Sequence, residues 1–295
     1  MGSNMLESFT NKRLMTDDKI GGELEHDQRV YNISSVAQTE IQAIQNERLT
    51  THPIFGSPLF MFFCIGCYLL LVLRVLPLFM MNRKPYKVEG LMKFYNILQI
   101  LLNSFIFYEV TVAIFSKKDY SFTCERFDAS DRRPETMKMI RPVALYYFSK
   151  FFDMFDTVFF LLRKKMNQVS FLHVYHHAIM VFGTYIYCAK FFGSHFTSAG
   201  LVNSFIHVVM YSYYLLSVMK PRTNFQSWKK TLTKMQLAQF ILLGLHFTLP
   251  LLNKWCQLDK FWNSVVLMQN VFMIALFGNF YYRAYVRKVN NKKSQ

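Results

Sequence analysis

Proline is scarce, with 8 in 295 residues, and acidic side chains number 18 against 34 lysines and arginines. A chain so poor in proline, 52% apolar and holding 31 phenylalanines is not disordered, and it is too apolar for an ordinary soluble domain. The five cysteines supply no zinc knuckle: Cys64 and Cys67 have the Cys-x-x-Cys spacing but fall in a hydrophobic run, where a structural zinc site is not expected. The first 50 residues hold no apolar run, which predicts no cleavable signal peptide, and Leu6 breaks the myristoylation pattern after the Met-Gly start. What remains is an all-α polytopic membrane protein.

Seven transmembrane helices are expected, at about 58–81, 91–115, 142–162, 171–190, 197–219, 233–252 and 261–282. Basic residues recur after alternate spans: Arg83, Lys84 and Lys87 after the first, Arg163, Lys164 and Lys165 after the third, Lys220, Arg222, Lys229 and Lys230 after the fifth. Arg283, Arg287, Lys288, Lys292 and Lys293 follow the seventh. The positive-inside rule makes those segments cytosolic and the N-terminus lumenal. The first 50 residues, with five basic against eight acidic side chains, suit translocation, and Asn32-Ile33-Ser34 is a glycosylation sequon on that side. The expected organisation is a lumenal tail (1–52), a catalytic membrane domain (53–284) and a basic cytosolic tail (285–295). Lys292-Lys293 near the end matches a dilysine signal for retrieval to the endoplasmic reticulum. The topology brings Cys124 and Cys256 to the oxidising lumenal side and predicts a disulfide between them, with two free thiols as the alternative.

Inside this apolar frame, His173, His176 and His177 put three imidazoles in five residues. On a helix they stand at i, i+3 and i+4 and share a face. Polarity is costly within a bilayer, so the cluster is either a functional site or a set of satisfied interhelical hydrogen bonds. Neighbouring spans carry stripes of their own: Lys150, Asp153, Asp156 and Thr157 on the third, Asn203, His207, Tyr211 and Tyr214 on the fifth, Gln236, Gln239 and His246 on the sixth. Their shared destination is the inside of the bundle. A bundle polar near the cytosol and apolar towards the lumen suits an amphipathic substrate. A phosphate-rich head such as coenzyme A would be drawn to Arg83, Lys84, Arg163, Lys164, Lys165, Lys234 and Arg283, unless these serve only orientation and lipid headgroups.

Clustered histidines suggest iron first. A membrane di-iron lipid oxidase needs several histidine boxes, and this chain has no second one. No cysteine lies near the cluster and no Gly-x-Ser-x-Gly occurs in the cytosolic half, so a histidine is the best candidate for a covalent acyl carrier. A lipid transporter lined by the same stripes is the rival outside enzymology. It offers no reason for the triple.

Lys150-x-x-Asp153-x-x-Asp156-Thr157, the HxxHH of His173 to His177, Asn203-x-x-x-His207-x-x-Met210-Tyr211 and Thr233-x-x-Gln236-x-x-Gln239 together resemble the motif series of the membrane very-long-chain fatty acid elongases. The order holds from about His52 to the C-terminus and includes Asn82-Arg83-Lys84-Pro85. Two departures stand out: Asp153 where the family usually has Glu, and Leu76 where Gly often precedes Pro77.

The resemblance implies a 3-ketoacyl-CoA synthase that condenses a long-chain acyl-CoA with malonyl-CoA and needs no redox cofactor. It implies helices two to seven enclosing a tunnel sealed at the lumenal end. His176 would be the acyl-carrying nucleophile and His207 its partner, with His173 and His177 holding the cluster. Asn203, Gln236 and Gln239 would orient or stabilise the enolate, and Asp153 and Asp156 would fix tautomers beside Lys150 and Tyr211. A reductase pair and a dehydratase would complete each cycle. Chain length would be set by bulk near Cys188, Phe191, Leu243 and Phe247. Oligomeric state is open.

Overall fold

The computed structural model describes residues 56–126, 128, 131, 133–219 and 226–287, and among them there is no strand. Asn32, Lys220, Arg222, Lys288, Lys292 and Lys293, with the tail at 1–52, lie outside the described residues.

Helix α1 (Pro58–Met80) opens on a proline, where the missing N–H costs nothing. It passes through a π-turn at Leu71–Val75, just before Pro77. A proline inside a helix removes one backbone bond and crowds the carbonyl four residues back, and the wider turn accommodates both. Then come α2 (Glu89–Ser116), α3 (Ile140–Asp153), α4 (Phe155–Leu162), α5 (Phe171–Lys190), α6 (Thr197–Met219), α7 (Gln226–Leu252) and α8 (Lys260–Tyr281). The Ser170 hydroxyl caps α5 by accepting from His173 N at 3.3 Å. Gly193, at φ 67°, makes the turn into α6.

Among the described residues five helices are long and apolar enough to cross a membrane: α1, α2, α6, residues 227–252 of α7, and α8 extended to Val286. Seven were expected. The two that fall short are 142–162 and 171–190, and the cause is their polar cargo. The first breaks at Met154 between Asp153 and Asp156, and the second carries three histidines and Lys190. The sixth expected span also starts earlier than 233, at Gln226.

The helices neighbour one another in a closed order. α2 packs on α6 and α3, α6 on α7, α7 on α8, and α3 on α5. Between α5 and α8, the Tyr175 hydroxyl donates to Gln269 Oε1 at 2.7 Å and its ring meets Phe272 at 5.3 Å. α1 stands outside this order, against α5 and α4.

One end is basic. Tyr86 N donates to Leu162 O at 2.9 Å and Lys164 Nζ to Met81 O at 3.2 Å, joining the ends of α1 and α4. Beneath them Met92, Tyr95, Phe159, Met210, Tyr211, Val218 and Leu232 form an apolar cluster from α2, α4, α6 and α7. The opposite end holds the Cys124–Cys256 disulfide, Cα–Cα 5.8 Å, which ties the α2–α3 loop to the α7–α8 loop. In that loop Lys117 pairs with Glu125 at 2.5 Å, and Arg133 grips Asp131 through Nε and Nη2. The guanidinium holds the Asp131 carboxyl well below the usual carboxylate range. Trp255, 92% exposed, marks this end as an interface with headgroups or water.

Candidate active site

Met154 is the hinge of the site. The bonds Met154 N to Phe151 O and Thr157 N to Met154 O, both 3.3 Å, span three residues rather than four. In such a turn positions i and i+3 eclipse, so Asp153 and Asp156 point the same way. Both meet Tyr211 of α6, whose hydroxyl lies 3.0 Å from Asp153 Oδ1 and 3.0 Å from Asp156 Oδ2.

Asp153 is the hub. Lys150 Nζ donates to its Oδ2 at 2.9 Å, and this ion pair is sealed, with side chains 1% and 3% exposed. Gln99 Nε2 of α2 donates to Oδ1 at 2.8 Å. His207 Nδ1 of α6 stands 3.5 Å from Oδ2, too long for a hydrogen bond, and has no hydrogen-bond partner among the described residues. Asn203 Oδ1 accepts from both Lys150 Nζ and the Tyr146 hydroxyl at 3.0 Å each. α2, α3 and α6 thus converge on one carboxylate, and Tyr211 links it to Asp156 of α4.

The histidines line the adjacent face of α5. His173 Nε2 lies 3.0 Å from Thr157 Oγ1, which also meets the Tyr68 hydroxyl of α1 at 2.8 Å. Its ring centroid is 4.3 Å from that of buried His177, and His177 is 5.5 Å from His176. His176 is half-buried, has no hydrogen-bond partner among the described residues, and lies within electrostatic reach of Lys150, Asp153 and His207. An imidazole held by its neighbours yet free at its nitrogens is equipped to attack a carbonyl carbon. On α7, Gln239 is buried and Gln236 Nε2 faces Met210 Sδ at 3.6 Å.

His246 does not join this group. Ten residues beyond Gln236, about 15 Å along a helix, it stacks on His195 at the disulfide end, with centroids 3.8 Å apart. Its Nε2 meets Ser198 Oγ at 2.5 Å. His195, in the turn before α6, is fully buried.

The sequence reading assigned nothing to α2, yet α2 supplies Gln99 and Tyr95 to the hub. The Tyr95 hydroxyl donates to Phe152 O at 3.0 Å. The signal was present as Asn96, Gln99 and Asn103, a polar stripe at i, i+3 and i+7 whose members are all buried.

The basic residues sit at one end but differ in engagement. Arg83 stacks on Phe79 and donates to the Tyr86 hydroxyl at 3.2 Å, Arg163 reaches Met92 Sδ at 3.6 Å, and Lys164 is held by Met81 O. Lys84, Lys165, Lys234 and Arg283 are exposed. Among the described residues no three His, Cys, Asp or Glu side chains are grouped as a metal ion would require.

Residues 53–293 match the ELO: GNS1/SUR4 family. A very long chain fatty acid elongase of Aedes aegypti is 37% identical over 235 residues, 79% of this chain and 65% of that one. Very long chain fatty acid elongase 7 of Rattus norvegicus is 38% identical over 237 residues, covering 79% and 83% of the two chains. Very long chain fatty acid elongase 1 of Homo sapiens is 34% identical over 250 residues, covering 84% and 89%.

Proposed function

This chain belongs to the ELO (GNS1/SUR4) family, and from that premise we propose how its residues lengthen a fatty acid. It is a multi-pass membrane enzyme, a very-long-chain 3-oxoacyl-CoA synthase. The observation that carries the residue-level reading is the meeting of Lys150, Asp153, Asn203, His207 and Tyr211 around one carboxylate beside the histidine face of α5. The relatives named above are elongases, which favours this reading over the histidine-box oxidase and the transporter.

A His176 ring nitrogen attacks the thioester carbonyl of a long-chain acyl-CoA, the C–S bond breaks, and coenzyme A leaves as its thiol. Malonyl-CoA then loses carbon dioxide, and the enolate carbon so formed attacks the acyl-imidazole. The C–N bond breaks, the leaving imidazole nitrogen takes up one proton from solvent in place of the one that left on the coenzyme A thiol, and a 3-ketoacyl-CoA two carbons longer is released. Atoms balance without a redox cofactor. Asn203, Gln236 and Gln239 supply amide groups for the enolate oxygen. His207 faces the second carbonyl with Asp153 behind it, and His173 and His177 brace the nucleophile.

The closed order of helices supports an acyl cavity along the axis. Phe191, Phe196, Phe247 and Trp262 would stop it at the disulfide end, where their rings pack 4.7–6.0 Å apart. α5 has 20 residues, about 30 Å of helix, and shares the ring with kinked α3–α4, which supports seven crossings. The basic end would then be cytosolic, in the endoplasmic reticulum membrane, with Arg83, Lys84, Arg163, Lys164, Lys165, Lys234 and Arg283 beside the coenzyme A phosphates. The 3-keto product calls for two reductions and one dehydration by other enzymes to restore a saturated acyl-CoA.

Intact-protein mass spectrometry after incubation with a long-chain acyl-CoA alone tests the chemistry. We expect an acyl-sized mass increase, absent from His176→Ala and discharged by malonyl-CoA as 3-ketoacyl-CoA. Product without an adduct replaces the covalent route by direct condensation. Neither adduct nor product overturns the assignment.

A further inference from the structure

Gln99 is a polar side chain 1% exposed in the middle of a helix apolar enough to cross a membrane. Such a group is costly unless its amide is put to use. Its Nε2 has Asp153 Oδ1 at 2.8 Å, the Tyr95 hydroxyl at 3.1 Å and the Tyr211 hydroxyl at 3.1 Å. A carboxylate only accepts, so the amide face is determined, with nitrogen towards Asp153.

The Tyr211 hydroxyl owns a single proton and faces a carboxyl oxygen of Asp153 and one of Asp156 at equal distance. It serves one of them at a time. When it serves Asp156, Gln99 is the donor left on Asp153 Oδ1. The other oxygen, Oδ2, takes Lys150 and looks towards His207 Nδ1 across 3.5 Å. Which way Oδ2 points is set by rotation of the carboxylate, and that rotation is fixed jointly by Lys150 on Oδ2 and by what grips Oδ1.

We propose that Gln99 is a positioning residue for the condensation: by anchoring Oδ1 of Asp153 it aims Oδ2 at the His207 imidazole. The inference rests on the reading that His207 takes part in the chemistry. It accounts for a glutamine on α2 that no motif of the sequence singled out. It also gives the short Asp153 side chain its aim towards the imidazole, because the carboxylate is held from α2 as well as by Lys150 on its own helix.

The test is steady-state 3-ketoacyl-CoA formation by the full-length protein in detergent or nanodiscs. Gln99→Met keeps bulk and removes the donor. We expect kcat to fall at least ten-fold with the KM for acyl-CoA within two-fold.

An unchanged kcat in Gln99→Met, or a loss carried by the KM for acyl-CoA with kcat unchanged, overturns the inference. Should Gln99→Met elute as aggregate on gel filtration, Gln99→Glu takes its place, having the same shape but donating only when protonated. Its rate should then fall as pH rises, on an alkaline limb the wild type lacks, and a profile superimposable on the wild type's also overturns the inference. His207→Ala separates the two claims: activity there sinks the parent reading, whereas an inactive His207→Ala with an unaffected Gln99→Met sinks this inference alone.

Discussion

Lys150 and Asp153 are a sealed ion pair, and the energetics of such pairs are asymmetric. Replacing both charges by apolar groups is often neutral for stability, whereas removing one strands the other in low dielectric at about 3–5 kcal/mol. Lys150→Met is therefore expected to lower the unfolding temperature sharply, with Asp153 left uncompensated. Lys150→Met combined with Asp153→Leu should recover most of that loss in a thermal melt, yet remain inactive, because Asn203 and His207 lose the groups that hold or face them. A double variant no more stable than Lys150→Met would mean that other bonds, not the charge pair, set the cost. At this scale the sequence was informative where chemistry is concentrated. Three histidines in an apolar run and a Lys-x-x-Asp-x-x-Asp stripe are visible without coordinates. Gln99 escaped notice because the stripe of Asn96, Gln99 and Asn103 holds amides only, without the charge or imidazole that marks chemistry, and its use shows only with Asp153 opposite it.

At the scale of the element, spans were legible and their interruptions were not. Apolar runs and basic flanks located α1, α2, α6 and α8 to within a few residues. The step at Met154 arises where two buried carboxylates and a lysine must all face α6, a tertiary demand without a proline or glycine to announce it. His246 was misplaced for a related reason: helical spacing puts residues on one face but does not say how far along it they lie. The loop elements are joined by the Cys124–Cys256 disulfide across a sequence separation of 132. In the chain-entropy account a loop of that length is worth on the order of 4–5 kcal/mol in water. Here the helices between the cysteines stay embedded when packing is lost, so the unfolded ensemble has less freedom to lose. We expect Cys124→Ser with Cys256→Ser to cost about 2 kcal/mol, roughly 5 °C of melting temperature, with kcat close to wild type because the reacting groups lie at the other end. A large loss of kcat at unchanged melting temperature would show that the disulfide end communicates with the chemistry.

Across the described residues of the membrane domain two polar clusters are separated by apolar packing, and this division of labour makes a prediction about product length. The reacting groups sit towards the basic end. At the far end Phe247, with no exposed surface, meets Phe196 at 5.4 Å, His195 at 5.5 Å and His246 at 5.3 Å, while its carbonyl accepts from Asn263 Nδ2 at 2.6 Å. A growing acyl chain carboxyl-anchored beside His176 can extend only until its methyl end meets this packing. Phe247→Ala opens space there, at about 3–5 kcal/mol of stability, and should shift the product distribution upward by at least one two-carbon step. Leu243→Trp, one turn nearer the site on α7, should shift it downward. Chain length is a ratio of products formed by whatever enzyme is folded, so the expected destabilisation lowers the yield without moving the ratio. Mass spectrometry of products from a graded series of acyl-CoA substrates reads it directly. A distribution unmoved by both substitutions would place the limit elsewhere, in the rate at which product leaves rather than in the length of the space it occupies.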